Sequence, residues 1–474
     1  MKAVEKTGLL ERTLQNLRGA WNEIAGAAAD VFASPPSPSL PAEDAARLRA
    51  QMRDCLEGRG GEVSARARAA SLGRTYLSLN REGRRRFLHI LASEFDVDSA
   101  AVDRAVEALR QTRGDPARRH AERALRAALE APRLQLLTQF NALPEGVKFL
   151  VDLRAELLEW AKPDPVLAGL AGDLRRLLAS WFDVGFLDLR RITWSSPAAL
   201  LEKLIAYEAV HEIHGWNDLK NRLDSDRRCF AFFHPRMPDE PLIFVEVALH
   251  RGLADNIQRL LDPLAPVQDP QTADTAIFYS ISNTQKGLVG ISFGGFLIKR
   301  VVDVLAAEFH GLKDYATLSP MPGLRGWLER ELMAGSPELL ALGERKAIAA
   351  LSGAAANDDG AFARLLGLPA WHEDPDVAGT LREPLLRLAA RYLLKEKRED
   401  GRAIDPVAHF HLSNGARIEQ IDWLADCSSK GLGQSYGLMV NYRYRQSAIE
   451  ANHEAYTGEG TVAVAPPVRA LIKS

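Results

Sequence analysis

The sequence predicts an α+β fold. An all-α helical bundle spans residues 1–190, and a mixed sheet carrying a helical insertion spans residues 191–474. Three observations point there. Apolar residues recur at helical spacing through the first 190 residues, the period shortens to two at Cys229, and the later strand-like runs are interrupted by charged, helical sequence from Leu324 to about Glu399. No fixed-period repeat is present, so the first part reads as a bundle rather than a solenoid.

In chain order, Leu9, Leu10, Leu14, Leu17 and Trp21 give a first apolar stripe, and the proline-rich stretch Pro35 to Pro41 reads as a linker. Leu48, Met52 and Leu56 mark a second helix. Phe87, Leu88, Ile90 and Leu91 mark another, and Ala101, Val102, Val106 and Leu109 the next, with Ala121–Leu129 and Phe149–Trp160 continuing the series. Arginines at 84–86 and at 118, 119, 123 and 126 alternate with Glu107, Asp115 and Glu122, the pattern of solvated, salt-bridged faces rather than a nucleic-acid surface.

Ser196-Pro197 supplies a cap and a first-turn proline for a helix running through Ile205 to Val210. At its end, His211 and His214 are three apart rather than the four of a zinc-protease motif, so no metal is expected there and Gly215 is read as the helix stop. Cys229–Phe233 and Leu242–Leu249 then read as strands joined by a polar, proline-rich turn. Ala276–Ser282 is a buried strand. Tyr315–Leu318 is a short one that Pro320-Met321-Pro322-Gly323 stops at Ser319, and strands return at Val407–Leu412, Arg417–Leu424 and Leu438–Tyr444.

Composition narrows the function classes. A net charge of -2 gives no bulk attraction to nucleic acid or to an anionic membrane, and the apolar runs are too short to span a bilayer. Cys55, Cys229 and Cys427 are scattered, without metal-ligand spacing, as in a reduced cytoplasmic protein. Cys427 lies in a polar stretch, but a nucleophilic role requires a lowered pKa. The N-terminus carries charges where a signal peptide is apolar.

The second part is organised around Thr275 to Phe309, a strand, a glycine-rich turn and a helix beginning near Phe296. Gly287, Gly290, Gly294 and Gly295 suit positive φ values and close approach, and the free amides of a helix start suit a phosphate. This glycine-rich turn is therefore a candidate phosphate cradle. No Gly-Lys-Ser/Thr follows, which excludes a P-loop, and Gly-x-Gly-x-x-Gly is absent. Gly290-Ile291-Ser292-Phe293-Gly294 does match a nucleophile elbow, with Asp405 and His411 following in hydrolase order. The repeated βαβ units and oxyanion motif that an α/β-hydrolase places ahead of the elbow are missing, so Ser292 reads as a turn residue.

HPRMPDEPLIFVEVAL (234–249), AIFYSISNTQKGLVGISFGGFLIKRVV (276–302), TLSPMPG (317–323), DPVAHFHLSNGARIEQIDWLAD (405–426) and GLMVNYRY (437–444) resemble the malonyl-CoA decarboxylase family. The resemblance covers most of the second half; the first half is similar only in being helical. It implies an N-terminal oligomerisation domain, a catalytic domain related to the GNAT acetyltransferases, and a homotetramer. It further implies that the 289–295 turn holds the coenzyme A pyrophosphate, that Ser319 and His411 are catalytic, and that Tyr444 lies at the substrate. Malonyl-CoA would be the substrate and acetyl-CoA the product, with coenzyme A entering only as part of the substrate and no other cofactor. The peroxisomal ending of some relatives is absent.

Read without the family, a serine before proline is a turn-former and a histidine among apolar residues a core group. On a regular strand His409 and His411 share a face, so alternation leaves that choice open. An acyl-CoA-dependent N-acyltransferase and a non-catalytic acyl-CoA sensor are the competing functions.

Overall fold

The computed structural model describes residues 21, 24, 36–57, 61–182, 184–291, 297–336, 339–355, 358 and 360–473. Their contacts divide the chain into two compact units. One comprises residues 1–188 with 232–243 and 283–293, and the other 189–231 with 244–282 and 294–474.

The first unit is built on the helices Ala42–Leu56, Glu62–Ser78, Arg81–Glu94, Ser99–Gln111, Asp115–Ala128, Pro132–Gln139, Gly146–Ala161 and Pro165–Trp181. Trp21 is fully buried, edge-on to Phe149 at 5.0 Å, with its indole N–H donating to the Pro144 carbonyl at 2.8 Å. A Cβ on Gly73 would stand 2.2 Å from the Trp21 ring, so the glycine is what admits the indole. The remainder of the first predicted stripe, Leu9 to Leu17, lies outside the described residues. Arg84 pairs with Glu156 and lies over the Tyr76 ring, while Arg86 pairs with Glu82 and Arg118 with Glu122 one helical turn away.

The mixed sheet has strands β1 (Asp188–Ile192), β2 (Arg227–His234), β3 (Met237–His250), β4 (Thr275–Asn283), β5 (Asp314–Thr317), β6 (Ser319–Pro320), β7 (Arg417–Asp422) and β8 (Met439–Tyr444). Their order is β1-β2-β3-β4-β5-β8-β6, with β7 also on β8. β4 and β5 are parallel and joined through the helix Leu297–Glu308, while β8 runs antiparallel to β5, β6 and β7. The insertion between β6 and β7 is helical, with Leu324–Met333, Leu342–Ser352, Ala361–Leu366 and Pro375–Leu394. Among the described residues no helix is long and apolar enough to cross a membrane.

Several expected elements differ. Val407–Leu412 is not a strand but part of the helix Pro406–Ser413, because Asp405 caps it and Pro406 pre-sets its first turn, and these local signals override the apolar alternation. β5 does break at Leu318, yet Ser319 and Pro320 pair onward with Val440 and Met439. The helix after Pro197 ends at Tyr207, so His211 and His214 lie beyond it, and Gly215, at φ 124°, precedes the helix Trp216–Arg222 instead of ending one. Ser196 Oγ accepts the Thr193 amide at 3.0 Å rather than capping the helix. The expected turn before Leu242 is shorter than its prolines imply, since β3 begins at the buried Met237. β1 was not anticipated.

Candidate active site

Two neighbouring stretches of sheet and one helix bring the predicted catalytic residues together in the second unit. Along β8, side chains alternate between faces. Met439 joins an apolar cluster with Ile277, Tyr279, Ala316 and Leu318, while Tyr442 and Tyr444 both reach the His411 ring. Thr317 and Ser319 are two residues apart across the β5–β6 break, and their hydroxyls meet at 2.8 Å, the serine donating. The Tyr442 amide donates to the same Thr317 oxygen at 3.1 Å. Asn441 Nδ2 ties the Thr317 carbonyl at 2.8 Å, which fixes the strand end that leads into Ser319.

The helix Pro406–Ser413 supplies the histidine. Asp405 Oδ1 accepts the Val407 and Ala408 amides, both at 2.9 Å. His411 then stacks on the Tyr442 ring at 4.5 Å and 22°, with Nδ1 2.8 Å from Tyr444 Oη and Nε2 3.0 Å from Ser319 Oγ. The helix also separates the two histidines, because residues two apart project about 200° from one another. His409 faces Tyr456 Oη at 2.9 Å, and only His411 meets the serine.

The hydrogen bonds fix a proton inventory. Ser319 spends its O–H on Thr317, so its oxygen is left to accept from His411, and a neutral ring then carries its proton on Nε2 and accepts the Tyr444 O–H at Nδ1. Burial pushes His411 down to about 3, and it raises the phenols of Tyr442 and Tyr444 far above their usual value. All members of the chain are therefore neutral at pH 7. The site therefore lacks the ready-made imidazolium that an ordinary histidine pKa suggests. With Nε2 a donor, the histidine is also not set to deprotonate Ser319, so the arrangement carries protons rather than making a serine nucleophile. Tyr442 Oη is buried without a hydrogen-bond partner among the described residues.

The candidate phosphate turn belongs to the first unit as far as residue 291. It follows the 3-10 turn Lys286–Leu288, with Val289 65% exposed and Gly290 at φ 76°. Gly287 is needed for contact, since a Cβ there would lie 1.7 Å from the Val151 carbonyl oxygen. Arg154 donates to the carbonyls of Gly287 and Val289. The Val289 and Ile291 amides are spent on the carbonyls of Lys286 and Leu288. Ser292, Phe293, Gly294 and Gly295 lie outside the described residues.

Other candidates recede. Burial lifts the Cys427 thiol and pushes His211 down to about 4. Among the described residues no group of three His, Cys, Asp or Glu is placed to hold a metal ion. Thr317 and Tyr442 were not anticipated from the sequence, because their roles depend on strand pairing. The signal for Asp405 was present, as an Asp-Pro pair is a helix start.

Family models described as the malonyl-CoA decarboxylase C-terminal domain and N-terminal domain match residues 185–474 and 95–182. "Malonyl-CoA decarboxylase, mitochondrial" of Rattus norvegicus is 37% identical over 457 residues, covering 93% of this chain and 89% of the relative. The protein of that name from Mus musculus is 36% identical over the same shares. Among solved structures, malonyl-CoA decarboxylase from Rhodopseudomonas palustris is similar with a TM-score of 0.82 at 43% identity, over 90% of this chain and 99% of that one. The Agrobacterium vitis protein gives 0.81 at 43%, with the same coverage.

Proposed function

The chain belongs to the malonyl-CoA decarboxylase family, and from that premise we propose that it converts malonyl-CoA to acetyl-CoA and CO2 through an enolate protonated by His411. The observation that carries the proposal is the buried Ser319–His411–Tyr444 chain, with Nε2 3.0 Å from Ser319 Oγ. The thioester carbonyl is the electron sink, so the reaction calls on neither a metal nor an organic prosthetic group. Turning the malonyl carboxylate so that its C–C bond stands perpendicular to the carbonyl plane lets that bond break. The electron pair passes to the thioester oxygen and CO2 leaves.

Ser319 turns its O–H from Thr317 to the malonyl carboxylate and fixes that orientation, a positioning contribution. His411 then gives its Nε2 proton to C2 while Nδ1 takes the Tyr444 proton, and a proton from solvent restores the phenol. The enolate carbon is basic enough to draw on a neutral donor chain. Gly290 and the backbone through Gly295 hold the coenzyme A pyrophosphate, supported by the positive φ of Gly290 and by Arg154 under the turn. Residues 1–190 serve assembly into a homotetramer, a dimer of dimers. Residues 191–474 form the GNAT-like catalytic domain of a cytoplasmic enzyme that binds neither nucleic acid nor membrane.

Chelator-dialysed protein incubated with malonyl-CoA alone, followed by mass spectrometry, is expected to release acetyl-CoA and CO2 in equal amounts. Malonyl-CoA that binds and stays unchanged overturns the proposal in favour of an acyl-CoA-dependent N-acyltransferase or a sensor.

A further inference from the structure

Ser319 and His411 are 92 residues apart in sequence, and the helical insertion lies between them, so their 3.0 Å separation has to be held by other contacts. We propose that Asp405 and Tyr392 are positioning residues for this pair, forming with Gly323 a buried latch between the turn of the serine and the helix of the histidine. The proposal rests on the Ser319–His411 reading above.

The two oxygens of Asp405 have different partners. Oδ1 takes the Val407 and Ala408 amides and so sets the start of the helix on which His411 sits six residues later. Oδ2 accepts the Tyr392 O–H at 3.1 Å. Asp405 is fully buried and Tyr392 is 2% exposed. Burial pushes the carboxyl up, while the amides of Ala408, Gly323 and Val407 and the Tyr392 hydroxyl pull it back.

Tyr392 comes from the last turn of Pro375–Leu394, and its ring packs 5.4 Å from that of Trp327, in the helix that begins one residue after Gly323. A Cβ on Gly323 would stand 2.3 Å from Tyr392 Oη and 3.7 Å from Asp405 Oδ2, so the backbone four residues past Ser319 rests directly on the phenol and the carboxylate. The contacts close a circuit from Ser319 through Gly323, Tyr392, Asp405 and His411 back to Ser319. A helix cap needs only one acceptor oxygen, and serine or asparagine would provide it. The second oxygen, buried at a desolvation cost, is what engages the insertion.

Tyr392→Phe keeps the ring and removes the hydroxyl. It is expected to lower kcat about 10-fold at unchanged KM for malonyl-CoA, since small misplacements of reacting groups cost rate steeply. In a Ser319→Ala background the same change is expected to cost less than about 2-fold, because the latch acts through that pair. Gly323→Ala is expected to lose activity and Gly323→Ala/Tyr392→Phe to regain part of it, the nearest remaining ring atom lying 3.4 Å from the new methyl. Asp405→Asn keeps an acceptor for the Val407 and Ala408 amides but turns an NH2 toward the Tyr392 O–H and the Gly323 amide, so it is expected to lower kcat at least as much as Tyr392→Phe does. Equal losses from Tyr392→Phe in both backgrounds, or a full kcat in Tyr392→Phe, would overturn the latch while leaving the pair in place. Full turnover by Ser319→Ala and His411→Ala would instead remove the pair from the chemistry and overturn both readings.

Discussion

At the scale of single residues, the decisive property is the burial of His411, which is 3% exposed and held neutral with its pKa pushed down to about 3. Motif resemblance picked out Ser319, His411 and Tyr444, but the protonation state was not legible, because it follows from desolvation by residues that join His411 only in the fold. The linkage has a definite sign. The unfolded chain takes up a proton on this histidine near pH 6.5, whereas the folded chain does not until about 3. The stabilisation is therefore complete above 6.5 and lost as the pH falls toward 3. Denaturant titrations are expected to show stability falling across that window by about 1.4 kcal/mol per pH unit more in the parent than in His411→Asn. For the same reason kcat/KM, which reports free-enzyme ionisations, is expected to show no break near pH 6.5 that disappears on altering His411. Such a break would mean that the histidine is solvated and charged.

At the scale of elements, the strand Thr275–Asn283 and the helix Leu297–Glu308 are legible because β4 is a largely apolar run and the helix carries a clear 3.6 period. The stretch Val407–Leu412 is helix where alternation suggests a strand, because a short run of alternating apolar residues and histidines satisfies either period and the Asp405-Pro406 start signal decides between them. The same ambiguity covers the choice between His409 and His411, which the helix resolves by rotation. The described glycines of the turn differ. Gly290 supplies a positive φ with open space around it, whereas Gly287 packs against the Val151 backbone. Gly287→Ala is accordingly expected to destabilise the protein by about 1–3 kcal/mol, the range for overpacking, and to raise KM for malonyl-CoA more than it lowers kcat. Thermal melts and initial rates test both. An unchanged melting temperature would contradict the contact.

At the scale of the whole molecule, periodicity was enough to divide a helical first part from a mixed sheet with a helical insertion. It did not reveal β1, whose burial pattern lacks an apolar stripe, nor the strand order, in which β8 inserts between β5 and β6. That pairing joins residues such as Tyr315 and Tyr444, and no local signal encodes it. Yet it is what brings Tyr444 to the ring and sets Ser319 against Val440, so the Ser319–His411–Tyr444 chain depends on the pairing of the last strand. In the proposed reaction this pair carries the chemistry while other residues hold the coenzyme. The most direct measurement is steady-state turnover of malonyl-CoA by Ser319→Ala and His411→Ala. A fall in kcat of about 10²-fold in each, with KM within about 2-fold of the parent, is the expected result. A kcat within about 2-fold of the parent in His411→Ala would contradict it.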